Sequence, residues 1–132
     1  MAIRDYTIED LDFIKKIMKK KLGFNDNIIN SHMQGINFND KIWIEESPDF
    51  MGFIWCKLRG DKMFIKLLYS ENNVESIKNL LMYAESFCRV NNIRSIFAGE
   101  TPLIEKYETI FLEMGYEIVK DPLMGRVLHK PL

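Results

Sequence analysis

The sequence predicts an α/β (α+β) fold in which a mixed, mostly antiparallel central sheet contains one parallel β-α-β crossover and is flanked by helices. A nearly continuous apolar stretch at 62–69 is followed by helical apolar spacing from Val74 to about Asn91 and by a second apolar stretch at 93–98. Two strands joined by a helix of this length should be parallel, with a right-handed crossover. Residues 41–69 contain three strand patterns separated by tight turns, which predict an antiparallel meander.

Composition narrows the class of protein. The length of 132 residues predicts one domain, 1–132, and the apolar share of 47% is typical of a globular chain. A formal net charge of −1 gives no general attraction to nucleic acid or to an anionic membrane. No apolar run approaches the ~20 residues of a membrane span, and the start of the chain lacks a signal-peptide pattern. Cys56 and Cys88 lie within apolar segments, so we expect reduced packing residues in a cytoplasmic protein.

The chain opens with a predicted strand, Ala2–Tyr6, and a predicted helix. Thr7 occupies the N-cap position, and Glu9 and Asp10 in the first turn oppose the positive end of the helix dipole. Gly23 is a natural stop for this helix. The apolar face of the helix consists of Ile8, Leu11, Ile14, Ile17, Met18 and Leu22.

The opposite face of this helix is basic. We interpret it as a solvated face whose cations suit the C-terminal end of the dipole. Binding of phosphates, nucleic acid or an acidic partner is the alternative interpretation. The face carries Lys15, Lys16, Lys19, Lys20 and Lys21.

Residues 24–40 show the weakest pattern. A short helix is expected there, ended by Gly35 and Asn37. His32 is expected on its surface or half-buried. One side of this helix would be lined by Ile28, Ile29, His32 and Met33.

Three strands of a meander follow, at 41–46, 51–59 and 62–69. Ser47-Pro-Asp49 is a typical turn, and Gly60-Asp61 predicts a two-residue hairpin. These strands contain both tryptophans of the chain and one lysine within an apolar run. We interpret Trp43 and Trp55 as core or sheet-face residues rather than a stacking platform for bases, and Lys66 as either solvent-facing or paired.

The remaining elements follow the turn at 70–73, whose side chains can cap the next helix. Thr101-Pro102 predicts the start of a later helix that Gly115 terminates. Two strands, Tyr116–Lys120 and Arg126–His129, should be joined by a turn that begins at Asp121-Pro122. The stripe of the later helix consists of Leu103, Ile104, Tyr107, Ile110, Phe111 and Met114.

The expected ligand site lies at one edge of the sheet. In sheets with a parallel crossover, ligands bind beyond the carboxyl ends of the strands. The sequence therefore places a candidate site near 69–73 and 99–101.

Two segments and the order of elements resemble the GNAT superfamily of acyl-CoA-dependent N-acetyltransferases, over essentially the whole chain. Phe111-Leu-Glu-Met-Gly-Tyr-Glu117 is similar to the helix-to-strand signature Tyr-Glu-Lys-Leu-Gly-Phe-Glu of that family. Ile3-Arg-Asp-Tyr-Thr-Ile-Glu-Asp-Leu11 resembles its usual start. The resemblance implies acetyl-CoA as cofactor and an amine as acyl acceptor.

The family binds the cofactor pyrophosphate at the turn after its fourth strand, through a Gln/Arg-x-x-Gly-x-Gly/Ala motif. The corresponding stretch here, 70–77, contains no glycine, and Glu71 and Glu75 add negative charge where the phosphates would lie. The cofactor-binding residues that the resemblance implies are Leu68, Tyr69, Ser70, Asn72, Asn73, Val74 and Glu75.

The resemblance also implies catalytic groups. The signature tyrosine, which protonates the departing thiolate in many members, is Phe111 here. Tyr107 lies one helical turn earlier on the same face and is the candidate replacement, with a core aromatic as the other interpretation. Glu100 is the candidate base toward the incoming amine, with a plain loop carboxylate as its alternative.

Three functions follow as hypotheses. The first is acyl transfer from acetyl-CoA to an unidentified amine by direct attack in a ternary complex, with the acceptor side of the cleft covered by residues 24–40. Small amines, peptide N-termini, lysine and modified nucleobases all fit as acceptors. The second is a degenerate GNAT-like binding module without catalysis, and the third is nucleic-acid binding by the basic face. Two distant histidines, His32 and His129, without clustered cysteines or acids do not suggest a metal site.

Overall fold

A computed structural model describes residues 2–71, 73–99 and 101–132 of the chain. Within them, no helix has the length and apolar character needed to span a bilayer. The helices are α1 (Ile8–Leu22), α2 (Asp26–Gln34), α3 (Val74–Val90), α4 (Pro102–Lys106) and α5 (Glu108–Glu113). The strands are β1 (Ala2–Asp5), β2 (Asp40–Ser47), β3 (Phe50–Arg59), β4 (Lys62–Ser70), β5 (Ser95–Gly99), β6 (Glu117–Asp121) and β7 (Gly125–Pro131).

The strands of the described residues form one sheet in the order β1-β2-β3-β4-β5-β7-β6. Every neighbouring pair is antiparallel except β4 and β5, which are parallel and joined by α3. The predicted fold class, a mixed and mostly antiparallel sheet with one parallel crossover, is confirmed. The predicted hairpin at Gly60-Asp61 is also confirmed, because Arg59 pairs with Lys62 and Gly60 takes the positive φ of 61° that the turn requires.

Strand β4 separates two apolar cores. Met63, Ile65 and Leu68 belong to the core beneath α3 and α5, whereas Leu67 and Tyr69 belong to the core beneath α1 and α2. A strand covered on both faces needs apolar side chains at nearly every position, which explains the continuous apolar pattern at 62–69. Cys56 and Cys88 are both buried in the first core, as expected for packing residues.

The pairing of β4 changes at Lys66. On the β3 side, Cys56 pairs with Ile65 and Trp55 pairs with Leu67, so Lys66 is the extra residue of a β-bulge. On the other side, β4 pairs with β5 only from Lys62 to Ile65. The carboxyl-terminal half of β4 therefore runs on past its pairing with β5, and the space beside this unpaired half is called here the cleft between β4 and β5.

The sequence predicts one helix after Thr101-Pro102, whereas the structure has two, α4 and α5. They are divided at Tyr107, whose φ of −103° and ψ of 11° end α4 and precede α5. The Tyr107 N–H donates to Ile104 O, an i→i+3 bond that tightens the last turn of α4. The side chain of Tyr107 also reaches across to β4, which holds the break in place.

Candidate functional site

Tyr107 lies at the carboxyl end of β4, beside the half of that strand that β5 leaves unpaired. Its hydroxyl accepts a hydrogen bond from the Ser70 N–H, with the oxygen 3.5 Å from the nitrogen, and only 6% of the residue is exposed. No described residue accepts the hydroxyl proton in turn. Burial raises the pKa of Tyr107, so the hydroxyl keeps its proton at neutral pH. The geometry thus leaves a proton donor at the end of β4.

Phe111 is fully buried and takes no part in the cleft. Its ring packs edge-to-face on Tyr116, with 4.9 Å between centroids. Its N–H donates to Tyr107 O, which places the two aromatic residues one turn apart. A phenyl ring in this position packs the core and offers no proton, so the cleft depends on Tyr107 for any acid group from this segment.

The turn between β4 and α3 has the polar cap that the sequence predicts. Asn73 is the N-cap residue, and its Oδ1 accepts from Ser76 N at 3.0 Å. The Glu71 N–H donates to Met51 O. Glu75 is exposed in the first turn of α3 and lies 3.8 Å from Lys78 Nζ.

An anion at this turn would meet the positive end of a 17-residue helix. The Asn73 cap already uses one of the N–H groups that open α3, and Glu71 and Glu75 oppose negative charge. An anion here would have only the other N–H groups of the first turn as donors, without the close approach that glycines allow. Asn72, one of the expected contacts, lies outside the described residues.

The structure places Leu68 and Tyr69 in opposite cores. Leu68 is fully buried beneath α3, and Tyr69 packs against Phe13 and Phe53 at about 6.2 Å between ring centroids. Their side chains are therefore unavailable to a ligand in the cleft. Any contact that these residues make with a cofactor has to come from the backbone of β4.

Gly52 is a residue of this region that the sequence analysis missed. A Cβ at Gly52 would lie 2.8 Å from Ser76 Oγ and 3.0 Å from Ser70 Oγ. Neither buried hydroxyl oxygen has a hydrogen-bond partner among the described residues. Strand β3 thus needs glycine to approach the start of α3, and an isolated glycine inside a strand pattern was the available signal.

A cavity of about 320 Å³, called here the apolar cavity, lies between α1, α2 and β4. The His32 ring stacks on Phe24 with 5.5 Å between centroids. Burial, and secondarily the charge of Lys66, lower the pKa of His32, so its imidazole is mainly neutral at pH 7. The expected half-buried position of His32 is confirmed. The cavity is lined by Met18, Leu22, Phe24, His32, Lys66, Leu67, Thr101 and Pro102.

Lys66 projects from the bulge over an aromatic ring. Its Nζ lies 4.3 Å from the centre of the buried Trp55 ring, and burial lowers the pKa of its ammonium. Trp55 Nε1 donates to Asp40 Oδ1 at 2.9 Å. Trp55 is a sheet-core residue, as is Trp43, which is 2% exposed.

The other sequence-predicted groups are spread over the molecule. On α1, Lys19 Nζ lies 3.5 Å from Asp26 of α2, and Lys16, Lys20 and Lys21 are exposed. Glu100, the candidate base, lies outside the described residues. The structure thus joins Tyr107 to the end of β4 and places His32 in the neighbouring apolar cavity.

Comparisons with known proteins bear on the fold. No protein-family model matches the sequence, and no curated protein matches it. An acetyltransferase of the GNAT family from Staphylococcus aureus Mu50 superposes with a TM-score of 0.79 at 19% identity, over 99% of this chain and 98% of that one. PaiA N-acetyltransferase from Thermoplasma acidophilum, in complex with coenzyme A, superposes with a TM-score of 0.74 at 16% identity, over 99% and 98% of the two chains. An aminoglycoside 6'-N-acetyltransferase complexed with coenzyme A gives 0.77 at 14% identity, over 99% and 97%. The chain therefore has the GNAT acetyltransferase fold that its sequence predicted.

Proposed function

We propose that the protein is an N-acetyltransferase that transfers the acyl group of acetyl-CoA to an amine by direct attack in a ternary complex. The observation that carries this proposal is the cleft between β4 and β5, with the protonated hydroxyl of Tyr107 at its end. Two proteins of the same fold hold coenzyme A in their structures. The free, buried thiols of Cys56 and Cys88 fit a reducing compartment, and we extend the proposal to a cytoplasmic location.

The cofactor would be held mainly by backbone. The first N–H groups of α3, at Val74 and Glu75, have no partner within the helix, and the unpaired half of β4 offers the backbone of Leu68, Tyr69 and Ser70. When bound, acetyl-CoA supplies the activated acyl group. The chain supplies position and hydrogen bonds, which are the main sources of rate in such a transfer.

Three side chains are our candidates for proton transfer. Tyr107 holds a proton on Oη that it can donate to an anionic leaving group. Glu100 is our proposed base toward the amine. His32, neutral at pH 7 and exposed to the apolar cavity, is a second group able to accept a proton.

The acceptor is proposed to be a small-molecule or peptide amine that enters from the apolar cavity. Aminoglycoside acetyltransferases share the fold, but an aminoglycoside carries several positive charges. Lys66 lies at the wall of this cavity, so its ammonium would repel a polycation. We therefore propose that the acceptor is not a polycation.

A catalytically inactive binding module is the second candidate function. The observation in its favour is the glycine-free β4–α3 turn with Glu71 and Glu75. Thermal unfolding with millimolar acetyl-CoA separates the two, because a ligand that binds the folded state stabilises it by about 2.7 kcal/mol at a hundredfold excess over Kd. We expect acetyl-CoA to raise Tm by several degrees and adenosine to leave it unchanged. No shift with acetyl-CoA would reject the enzyme and favour the binding module.

A further inference from the structure

A second cavity, called here the basic cavity, opens on the face of the sheet that carries α1 and α2. Its volume is about 660 Å³, which lies within the usual range of small-ligand sites. It lies beside the apolar cavity, and both share Lys66. The basic cavity is lined by Lys57, Arg59, Lys62, Phe64, Lys66, Phe97, Asp121, Leu123 and Met124.

Two aromatic rings of the basic cavity, Phe64 and Phe97, belong to a row that continues on the next strand to His129. Phe64 of β4 pairs with Phe97 of β5, which pairs with His129 of β7. The rings stack with centroid separations of 5.4 Å and 4.5 Å and interplanar angles of 18° and 26°. Phe64 and Phe97 are half-buried and line the cavity, and rings stacked on one another leave their edges uncovered. The positive edge of an aromatic ring attracts the face of another π system and also negative charge.

The rim of the basic cavity is cationic. Lys57 lies 3.8 Å from the buried carboxylate of Asp40, whereas no described carboxylate lies within ion-pair distance of Arg59, Lys62 or Lys66. Arg59 and Lys62 lie over the Phe64 and Phe97 rings at 5.7 Å and 5.8 Å. These three cations are therefore held beside aromatic carbon without a direct ion pair among the described residues, while the charges of Asp121 and Asp40 act on Lys62 and Lys66 from farther away.

Asp121 is the acidic residue of the lining. Its Oδ1 accepts from the N–H groups of Leu123 and Met124 at 2.8 Å and 2.9 Å. These bonds hold the carboxylate within the β6–β7 turn and lower its pKa. Because Asp121 is the one carboxylate of the lining and is hydrogen-bonded within its own turn, the lysine and arginine side chains give the cavity a net positive charge.

We propose that the basic cavity binds a planar aromatic anion, with the ring on the edges of Phe64 and Phe97 and the negative group among Arg59, Lys62 and Lys66. The chemical class comprises aryl phosphates and aryl carboxylates, and it includes a mononucleotide as one source of the same chemistry. This binding goes beyond the proposed acetyl transfer, since the cavity is built without the β4–α3 turn. Lys66 also places such an anion beside the apolar cavity. An acyl acceptor of this class, an aromatic amine with an acidic group, follows if the proposed function holds.

Calorimetry on the whole chain at low salt, without acetyl-CoA, tests the binding. Phenyl phosphate should bind about tenfold more tightly than cyclohexyl phosphate, whose ring is not aromatic, and than phenol, which lacks the charge. Adenosine monophosphate is tested as the mononucleotide. If it binds more tightly than phenyl phosphate, the ligand is a nucleotide, and if it binds more weakly, the ligand is a simple aryl anion. Equal affinity for phenyl and cyclohexyl phosphate would show that the rings are not used and would overturn the proposal.

Two variants locate the site. Lys62→Gln, on an exposed position, and Phe97→Leu should each weaken phenyl phosphate binding by about three- to tenfold. Lys20→Gln, which removes an equally exposed cation from α1, is the matched control and should bind as the parent chain does. If Phe97→Leu does not fold, Lys62→Gln alone decides. Unchanged affinity in Lys62→Gln would reject the cavity as the binding site.

Two outcomes separate this inference from other functions. Binding of phenyl phosphate by a chain that shows no acetyl transfer would support the cavity and reject only the proposed enzyme. A dodecamer of thymidylate is the probe for single-stranded nucleic acid, whose affinity falls steeply with salt. If it binds more than about a hundredfold tighter than the mononucleotide, the surface is a nucleic-acid platform and the small-anion proposal is wrong.

Discussion

The hydroxyl oxygen of Tyr107 lies 3.5 Å from the backbone nitrogen of Ser70, so that the junction of α4 and α5 meets the end of β4 at this atom. Tyr107 precedes by one helical turn the position where GNAT-like sequences carry a tyrosine and this chain carries Phe111. Residues four apart lie on the same face of a regular helix, but here Phe111 is buried in the core, whereas the Tyr107 hydroxyl reaches the end of β4. We therefore propose Tyr107 as the replacement for the acid group that Phe111 cannot supply.

The first prediction concerns Tyr107→Phe, which removes the hydroxyl and keeps the ring. We expect kcat for acetyl transfer to fall by about a hundredfold, the usual contribution of a positioned proton donor, with little change in acetyl-CoA affinity. Steady-state kinetics and calorimetry measure the two effects. The raised pKa of Tyr107 places its deprotonation above the ordinary tyrosine value of about 10, so this group should not limit the rate between pH 7 and 9.

Tyr83→Phe is the matched control, since it removes a tyrosine hydroxyl on the exposed side of α3. Its kcat should equal that of the parent chain. A Tyr107→Phe enzyme with unchanged kcat would assign Tyr107 to packing alone. The loss of its hydrogen bond would then be seen only as about 1 kcal/mol of stability.

The second prediction concerns Glu75→Gln at the β4–α3 turn. Removal of a like charge should tighten acetyl-CoA binding several-fold if the diphosphate lies there, and the gain should shrink as salt increases. The unliganded protein should lose about 0.3–1 kcal/mol, because a carboxylate at this position favours the helix dipole. Calorimetry at two salt concentrations and urea unfolding measure the two effects.

Glu113→Gln is the matched control, which distinguishes removal of a charge at the β4–α3 turn from removal of a charge nearby. Glu75 and Glu113 both lie within 4.0 Å of Lys78 Nζ, but Glu113 belongs to α5 and not to the start of α3. We expect Glu113→Gln to change acetyl-CoA affinity much less than Glu75→Gln does. Equal gains in both variants, or weaker binding in Glu75→Gln, would place the diphosphate elsewhere.

The third prediction concerns Asp10 in the first turn of α1. This carboxylate is 4% exposed and accepts from Arg4 Nη1 and from the Thr7 N–H, each at 2.7 Å. The hydrogen bond from Arg4 is the main reason that the pKa of Asp10 is lowered. Asp10→Asn should therefore destabilise the chain by about 2 kcal/mol at pH 7.

The sign of the pH dependence follows from this lowered pKa. The stabilisation by Asp10 is present above the unfolded-state pKa of about 3.9 and is lost as the pH falls through the lower pKa of the folded state. The difference between the parent chain and Asp10→Asn should thus shrink in urea unfolding below about pH 4. Asp12→Asn, an exposed position on the same helix, should have little effect at either pH. A difference for Asp10→Asn that grows toward acid would contradict the assignment.

The fourth prediction concerns Glu85, a carboxylate of α3 that is 3% exposed. Its Oε1 lies 2.8 Å from Lys130 Nζ, and its Oε2 accepts from the Tyr116 hydroxyl at 3.1 Å. Glu85→Ala should cost about 3–5 kcal/mol in urea unfolding, because it leaves a partly buried ammonium without its partner. Glu85→Leu combined with Lys130→Met should recover much of that loss, since the partly buried ammonium is removed as well and Arg89, the other cation beside Glu85, is exposed to water. A double variant as unstable as Glu85→Ala would show that the pair itself is strongly stabilising.

Parts of the fold and of the site follow from local sequence. Apolar periodicity reports which face of one element is buried, and it predicted the order of strands and helices correctly, including the crossover from β4 through α3 to β5. Local chemistry also predicted the Asn73 cap and the absence of a proton donor at Phe111, because both depend on side-chain type at one position. The break of the later helix at Tyr107 was not predicted, since its cause lies in β4, 37 residues away.

The sequence by itself determined which segments are strands and helices, which faces are apolar, and which side chains carry protons or charge near the cleft. Only the tertiary structure decided which of these side chains meet. The bulge at Lys66 and the row of Phe64, Phe97 and His129 arise from the register between strands, and β7 lies between β5 and β6 in space. A turn fixes register only within a hairpin, and β5 is joined by no hairpin to β4 or β7, so packing between distant segments decides which rings meet. The basic cavity is therefore a property of the assembled sheet.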